Sequence, residues 1–135
     1  MILTVIGTRP NFMKMAPIVS EFDKRNISNA LIHTGQHYDM NMSDNIIRDL
    51  KLRNPDHFLG VKPGSFSKQA AKMMIDFEDV CMRLNPKLVL VAGDVNSTLI
   101  TAMIANKLNI AVGHVESGLR SFDKTMPEEV NRILT

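Results

Sequence analysis

The sequence predicts an α/β fold in which a parallel sheet is flanked by helices. Short continuous apolar runs, such as residues 2–6 and 87–92, are typical of strands that are buried on both faces. Longer segments with helical apolar periodicity alternate with these runs. Because parallel strands need crossover connections of this length, and these are right-handed, we expect a doubly wound sheet with the strand order 3-2-1-4-5.

The first strand and helix are predicted from the first 26 residues. The strand covers Ile2 to Ile6, and Gly7 ends it. Pro10 suits the first turn of a helix, where its missing N–H costs nothing. Pro17 cannot donate to residue 13, so we expect the segment between the two prolines to be loosely wound or kinked. Regular helix should follow as far as about Asn26.

The middle of the chain contains two strands and two helices. Asn29 to Thr34 is a second strand, and residues 39–50 can form an amphipathic helix. Phe58 and Leu59 form a short third strand. Ser67 is expected to cap a helix that runs to about Leu84.

The last part of the chain repeats the alternation of strand and helix. Gly93 and Asp94 form the turn after its first strand. Its elements are a buried strand over residues 87–92, a helix capped by Asn96 or Ser97 that runs to about residue 108, a buried strand over residues 109–114, and a helix that begins at Pro127.

Length and composition exclude several classes of protein. A chain of 135 residues makes one domain, and a net charge of +2 is too small for nucleic-acid binding by electrostatics alone. One cysteine, Cys81, excludes an internal disulfide and fits a reducing cytosol. No run of membrane-spanning length and no signal peptide is present, so a soluble cytoplasmic protein is expected. No Cys/His set has zinc-ligand spacing, and His114, inside a strand, is expected to be a hydrogen-bonded core residue.

Polar side chains of acid/base type follow the predicted strands. Arg9 follows the first strand, His37 the second, Asp94 the fourth and Glu116 the fifth. In a parallel sheet these turns lie at one edge, so a cation, an imidazole and two carboxylates should converge there. The sequence therefore predicts a site with acid/base chemistry at this edge.

Each candidate also has a structural interpretation without chemistry. Arg9 could pair with a surface carboxylate, and Asp94 could simply cap a turn. His37 could be a hydrogen-bonded turn histidine. Glu128 and Glu129, in the first turn of the last helix, could do no more than complement the helix dipole. Glu116 is harder to explain this way, since a half-buried carboxylate is costly unless it is paired or used.

Five motifs together resemble a known family. They are Gly7–Pro17, Thr34–His37, Gly93–Thr98, His114–Ser121 and Met126–Thr135, and they span the chain in order. The chain resembles the non-hydrolysing UDP-N-acetylglucosamine 2-epimerase family. The resemblance implies two Rossmann-like domains in the glycosyltransferase-B arrangement, of which residues 1–135 would be an incomplete N-terminal domain, without the second, UDP-binding domain.

The resemblance also implies an activity and residue roles. The family interconverts UDP-N-acetylglucosamine and UDP-N-acetylmannosamine without a nicotinamide cofactor, by eliminating UDP and adding it back. Carried over by motif, Asp94, Glu116 and Glu128 match the acid/base carboxylates. Arg9 and Lys14 match the basic residues of the cleft, and His37 is grouped with them as a substrate-binding residue. No metal or other cofactor is implied.

Several alternatives stay open at this point. The parent enzyme could instead release free N-acetylmannosamine, or act on a modified UDP-sugar such as a diacetamido uronic acid. The chain could also be a sugar-nucleotide-binding module without chemistry, or a domain with no ligand. We expect the 135-residue chain alone to have little or no epimerase activity, and to form a homodimer or self-associate through exposed sheet surface. Asn11 departs from the family, where many members carry an acidic residue.

Overall fold

The structure is a computed structural model that describes residues 1–35 and 49–135. Within these ranges the elements are β1 (Ile2–Ile6), α1 (Arg9–Lys24), β2 (Asn29–His33), β3 (His57–Phe58), α2 (Phe66–Leu84), β4 (Leu88–Ala92), α3 (Asn96–Lys107), β5 (Ala111–Val115) and α4 (Pro127–Leu134). The helix predicted over residues 39–50 falls almost entirely outside the described residues. His37 also lies outside them.

The described strands form one parallel sheet in the order β3-β2-β1-β4-β5. The predicted order is therefore confirmed. At the ends of the strands, Ile6 of β1 is aligned with His33 of β2, and Ala92 of β4 is aligned with Val115 of β5. Because every pairing is parallel, the carboxyl ends of the strands lie at one edge of the sheet, which we call the carboxyl edge.

Helices cover both faces of the sheet, and each face has its own apolar core. Leu3 and Val5 of β1 belong to the core on the side of α2 and α3, which contains the fully buried Phe77. Ile6 belongs to the other core, with Met15 of α1. The strand thus buries alternate residues on opposite faces, as expected for a central parallel strand.

Gly7 lets the end of β1 approach its neighbours closely. A Cβ atom at this position would lie 2.5 Å from the Ser97 Oγ atom and 2.6 Å from the Thr34 Oγ1 atom. These distances are shorter than a non-bonded contact allows, so a glycine is needed here for space. The close approach packs the start of α3 and the end of β2 against the turn that follows β1 at the carboxyl edge.

Helix α1 is continuous through the segment between Pro10 and Pro17, so the expected loose winding of this segment is not present. The helix runs from Arg9 to Lys24 with Pro17 inside it. Pro17 leaves the carbonyl group of Met13 without its helical donor. Both residues are on the exposed side of the helix, so water can hydrate this carbonyl group at little cost.

Two predicted helix caps are also wrong. Ser65, not Ser67, caps α2, because Ser65 has extended dihedral angles and its hydroxyl oxygen accepts a hydrogen bond from the Lys68 N–H at 3.4 Å. Val95 occupies the cap position of α3 and makes no side-chain cap. Helix α3 starts at Asn96, so Asn96 and Ser97 are its first helical residues.

Strand β5 is exposed rather than buried as predicted. Ala111 and Val112 are exposed, and the other residues of the strand are half-buried. The physical reason is the position of β5 at the end of the described sheet, where it pairs with β4 alone. An apolar run therefore predicted the strand correctly but not its burial. Within the described residues, no helix combines the length and the apolarity that a membrane crossing requires.

Candidate active site at the carboxyl edge

Lys14 and Glu116 form an ion pair at the carboxyl edge. The Lys14 Nζ atom lies 2.5 Å from the Glu116 Oε2 atom, and their side chains are 28% and 38% exposed. Glu116 directly follows β5 and has a φ of +61°, which is a strained conformation for a residue with a side chain. A Cβ atom on Gly93 would lie 3.4 Å from the Lys14 Nζ atom. The ammonium group of Lys14 therefore reaches from α1 to the turns after β4 and β5.

Asp94 is held by an arginine that the sequence analysis did not single out. The Arg132 Nε and Nη2 atoms donate to the Asp94 Oδ2 atom at 2.9 and 2.5 Å. The hydrogen bond to Asp94 raises the pKa of Arg132 above its ordinary value. The hydrogen bonds of the Asp94 carboxylate within the described residues come from Arg132 and not from a backbone N–H of its own turn, which favours a role other than a turn cap.

Asp94 and Glu116 share one arrangement. Each carboxylate has one oxygen atom bound to a cation, whereas the other oxygen atom has no hydrogen-bond partner among residues 1–35 and 49–135. A carboxylate held in this way has a fixed orientation and a free oxygen atom that can accept a proton. The arrangement suits acid/base chemistry at two points of the same edge.

Glu129 is the most buried charged group near the carboxyl edge. Its side chain is fully buried, and it accepts hydrogen bonds from the Ser121 N–H at 2.9 Å and from the Arg120 Nε atom at 2.7 Å. The backbone hydrogen bond from Ser121, together with Arg120 and Arg132, lowers the pKa of Glu129 to about 2 despite its burial. Glu129 is thus more than a residue that complements the helix dipole.

Asn11 connects the turn after β1 to the end of β4. Its Nδ2 atom donates to the Ala92 carbonyl oxygen at 2.9 Å, and its Oδ1 atom accepts from the Thr8 N–H at 3.2 Å. An ionised carboxylate at this position could accept the second hydrogen bond but could not donate the first. Asn11 therefore makes a hydrogen bond across the carboxyl edge that a carboxylate in its place could not make.

The structure leaves two of the predicted site residues without contacts to the others. Arg9, the first residue of α1, is exposed and makes no ion pair within the described part of the chain. Glu128 is exposed in the first turn of α4 and likewise has no described partner. His114 is half-buried, and its Nε2 atom lies 2.7 Å from the Gly93 carbonyl oxygen. His114 is thus hydrogen-bonded as expected, but it is not a core residue.

A cavity of about 470 Å³ opens beside Glu116, on the side of β5 and α4. The side chains of Arg120, Lys124 and Arg132 line it together with His114. Arg120 is paired with Glu129, and Arg132 with Asp94 and Glu129, so Lys124 is the cation of this lining that has no ion pair within the described residues and is available to an anionic ligand group. Within the described residues, no group of three or more His, Cys, Asp or Glu side chains could hold a metal ion.

The fold recurs in a glycosyltransferase of low sequence identity. The chain superposes on a glycosyltransferase of Streptomyces sp. SF2575, solved with thymidine diphosphate, with a TM-score of 0.61 and 14% identity over 98% of this chain and 42% of that one. This likeness shows the fold alone. It supports the predicted class, a Rossmann-like α/β domain of the glycosyltransferase-B type.

The family is shown by closer matches. The family model described as UDP-N-acetylglucosamine 2-epimerase matches residues 20–135. The chain is 46% identical over 131 residues to the UDP-N-acetylglucosamine 2-epimerase of Methanocaldococcus jannaschii, covering 97% of this chain and 36% of that protein. It is 45% identical over 136 residues to the UDP-2,3-diacetamido-2,3-dideoxy-D-glucuronate 2-epimerase of Pseudomonas aeruginosa, covering 99% and 38%.

A solved structure agrees with these relatives. The M. jannaschii enzyme in complex with UDP-GlcNAc and UDP superposes with a TM-score of 0.94 and 46% identity, over 99% of this chain and 37% of that one. The chain belongs to the UDP-N-acetylglucosamine 2-epimerase family. It spans somewhat more than a third of the length of these relatives.

Proposed function

We propose that this chain forms the acid/base side of the active site of a UDP-N-acetylglucosamine 2-epimerase. The observation that carries the proposal is the pair of oriented carboxylates, Asp94 and Glu116, each fixed by a cation at the carboxyl edge. The reaction interconverts UDP-GlcNAc and UDP-ManNAc. It changes only the configuration at C2, so it needs no external electron acceptor.

The proposed reaction proceeds by elimination and re-addition of UDP. One carboxylate removes the proton from C2, the electron pair of the C–H bond forms a C1=C2 double bond, and UDP leaves with the electron pair of the C1–O bond. An oxygen atom of UDP then adds back to C1 while a proton is delivered to the opposite face of C2. Such chemistry needs carboxylates that can take and return protons on two faces of the sugar.

The residues have the following proposed roles. Asp94, Glu116 and Glu128 supply the acid/base groups. Arg9 and Lys14 stabilise the charge of the departing diphosphate, a role that suits the exposed guanidinium group of Arg9. His37 is proposed as a substrate-binding residue. We also propose that the reaction takes place in the cytoplasm, where the single buried thiol of Cys81 would stay reduced.

A hybrid enzyme tests this proposal directly. Residues 1–135 replace the matched N-terminal segment of the M. jannaschii relative, and turnover of UDP-GlcNAc in D₂O is followed by NMR. We expect UDP-ManNAc to form, with deuterium at C2 of the product. Asp94→Asn and Glu116→Gln should each lower kcat by about 100-fold or more, whereas Glu21→Gln, an exposed carboxylate of α1, should not change it.

Two outcomes would contradict the proposal. A hybrid that folds but shows no turnover would mean that residues 1–135 do not supply the acid/base side of the active site. Release of free N-acetylmannosamine would favour the hydrolysing reaction instead. The 135-residue chain alone is expected to show no turnover, and the same NMR assay checks this.

A second candidate substrate is a UDP-sugar that carries a carboxylate, such as a diacetamido uronic acid. The observation in its favour is Lys124 in the lining of the cavity beside Glu116, together with the 45% identity to the Pseudomonas enzyme named for such a substrate. Comparing kcat/KM of the hybrid for the two UDP-sugars decides between them. A higher value for the uronic acid that is lost in Lys124→Gln would establish the second candidate.

A further inference from the structure

Helix α4 contacts both loops that carry the proposed acid/base residues. Its side chains Glu129, Asn131 and Arg132, which we call the α4 clamp, bind the turn after β4 and the loop after β5.

The clamp holds Asp94 at two points. Arg132 binds the Asp94 carboxylate through its Nε and Nη2 atoms, at 2.9 and 2.5 Å. The Asn131 Nδ2 atom donates to the Asp94 carbonyl oxygen at 2.8 Å and lies 3.1 Å from the Asn96 Oδ1 atom. The backbone and the side chain of Asp94 are therefore both fixed by α4.

The clamp holds the loop after β5 through Glu129. The Glu129 Oε1 atom accepts from the Arg120 Nε atom at 2.7 Å, and the Oε2 atom accepts from the Ser121 N–H at 2.9 Å. The Oε2 atom also accepts from the Arg132 Nη1 atom at 3.3 Å. One buried carboxylate thus joins the loop that begins at Glu116 to the arginine that holds Asp94.

Full burial makes this carboxylate sensitive to replacement. The N–H groups of Arg120, Ser121 and Arg132 that bind Glu129 can only donate, and of its neighbours the Ser121 hydroxyl alone could also accept. An amide in place of the carboxylate would therefore turn its NH₂ group toward at least one of these N–H donors. Arg132 would then lose the contact that fixes one end of its guanidinium group. Its hold on Asp94 depends on that orientation, because both bonds converge on a single oxygen atom.

We infer that Glu129 is a positioning residue that sets the orientation of Asp94 through Arg132. The inference rests on the proposed function for its catalytic meaning, since Asp94 matters to the reaction only if it is one of the acid/base groups. Glu128, one residue earlier and exposed, provides a matched control with the same charge on the same helix turn.

The first experiment uses the 135-residue chain and does not depend on activity. NMR follows the Nε–H signal of Arg132 and the carboxylate ¹³C signal of Asp94, with Asp94→Asn used for assignment. We expect Glu129→Gln to broaden the first signal and shift the second, whereas Glu128→Gln leaves both unchanged. Unchanged signals in a folded Glu129→Gln chain would overturn the inference.

A second variant covers the case in which Glu129→Gln does not fold. Arg132→Lys keeps Glu129 charged and replaces a partly exposed side chain, but a single ammonium group cannot make both bonds to Asp94. The Asp94 carboxylate signal should shift in this variant as well. If it does not shift, Arg132 does not orient Asp94 and the inference is overturned.

The hybrid enzyme separates a positioning role from a merely structural one. We expect Glu129→Gln to lower kcat by about 10- to 100-fold with KM changed by less than about twofold. Glu128→Gln should also lower kcat, because Glu128 is a proposed acid/base group, but it should leave the Arg132 signal intact. An inactive parent hybrid would count against the proposed function alone, since the NMR signals still decide the positioning role.

Discussion

At the scale of single residues, the buried side chain of His33 couples the stability of the fold to pH. It is 2% exposed, and its ring lies between those of Phe12 and Phe58, at centroid distances of 5.2 and 5.0 Å. The Gly35 N–H donates to its Nδ1 atom at 2.8 Å, so the proton of the neutral ring is on the Nε2 atom, which has no partner in the described part of the chain. Burial lowers the pKa of His33 from 6.5 to about 4.

This pKa predicts that stability falls on acidification. Between pH 6.5 and about pH 4 the unfolded chain protonates His33 while the folded chain does not, so the free energy of unfolding decreases as the pH is lowered. The loss should reach about 3 kcal/mol by pH 4. Urea unfolding at a series of pH values measures it. His33→Asn keeps an acceptor for Gly35 but cannot protonate, so an equal slope in this variant would contradict the assignment.

Gly7 provides a second prediction at the same scale. Gly7→Ala should destabilise the fold by about 1–3 kcal/mol, because the new methyl group meets the side chains of Ser97 and Thr34. Thermal unfolding measures the change. Gly64→Ala is the control, since a Cβ atom there meets only the Lys68 Cβ atom at 4.0 Å. An equal loss in the two variants would mean that close approach is not the reason for glycine at position 7.

The positions of single site residues could be predicted from the sequence only where chain topology determines them. Arg9, Asp94 and Glu116 each follow a strand, and a parallel sheet places all such residues at one edge. The partners of Asp94 and Glu129 could not be predicted, because they depend on the path of the loop between β5 and α4. The one available signal was the spacing of Glu129 and Arg132, which face each other at i and i+3 on a helix.

At the scale of elements, sequence patterns predict where a helix lies better than they predict which residue caps it. Apolar periodicity located α2 and its buried residues, including Met73 and Phe77, because burial of that face dominates its stability. The cap depends on the dihedral angles of one residue, and Ser65 and Ser67 are both suitable by type. Pro17 is a second example. Whether a helix tolerates a proline depends on the exposure of the carbonyl group that loses its donor, and the sequence pattern does not show that exposure.

The assignment of the α2 cap can be tested with two matched serines. Ser65→Ala should destabilise the chain by about 0.5–1 kcal/mol, because the Lys68 N–H loses its acceptor. Ser67→Ala, on the exposed first turn, should change stability by less than about 0.5 kcal/mol. Chemical denaturation measures both. The reverse order of effects would restore Ser67 as the cap.

At the scale of the whole molecule, the exposure of strand β5 predicts that this chain associates with itself. Val112 is 36% exposed on a strand that pairs on one side within the described residues. We expect concentration-dependent association in sedimentation velocity, weakened by Val112→Lys. Ile27→Lys, at a residue with a similar exposure of 38% between α1 and β2, is the control. A strictly monomeric profile, or an equal effect of both changes, would contradict a role for β5.

The α4 clamp has a consequence for the order in which parts of the nascent chain fold. The described strands β1 to β5 have all been synthesised once Val115 has left the ribosome, yet the side chains that hold Asp94 come from Asn131 and Arg132. A nascent chain can therefore collapse into a sheet with its acidic turn still unrestrained. The orientation of Asp94 is then fixed after the described sheet has formed rather than together with it.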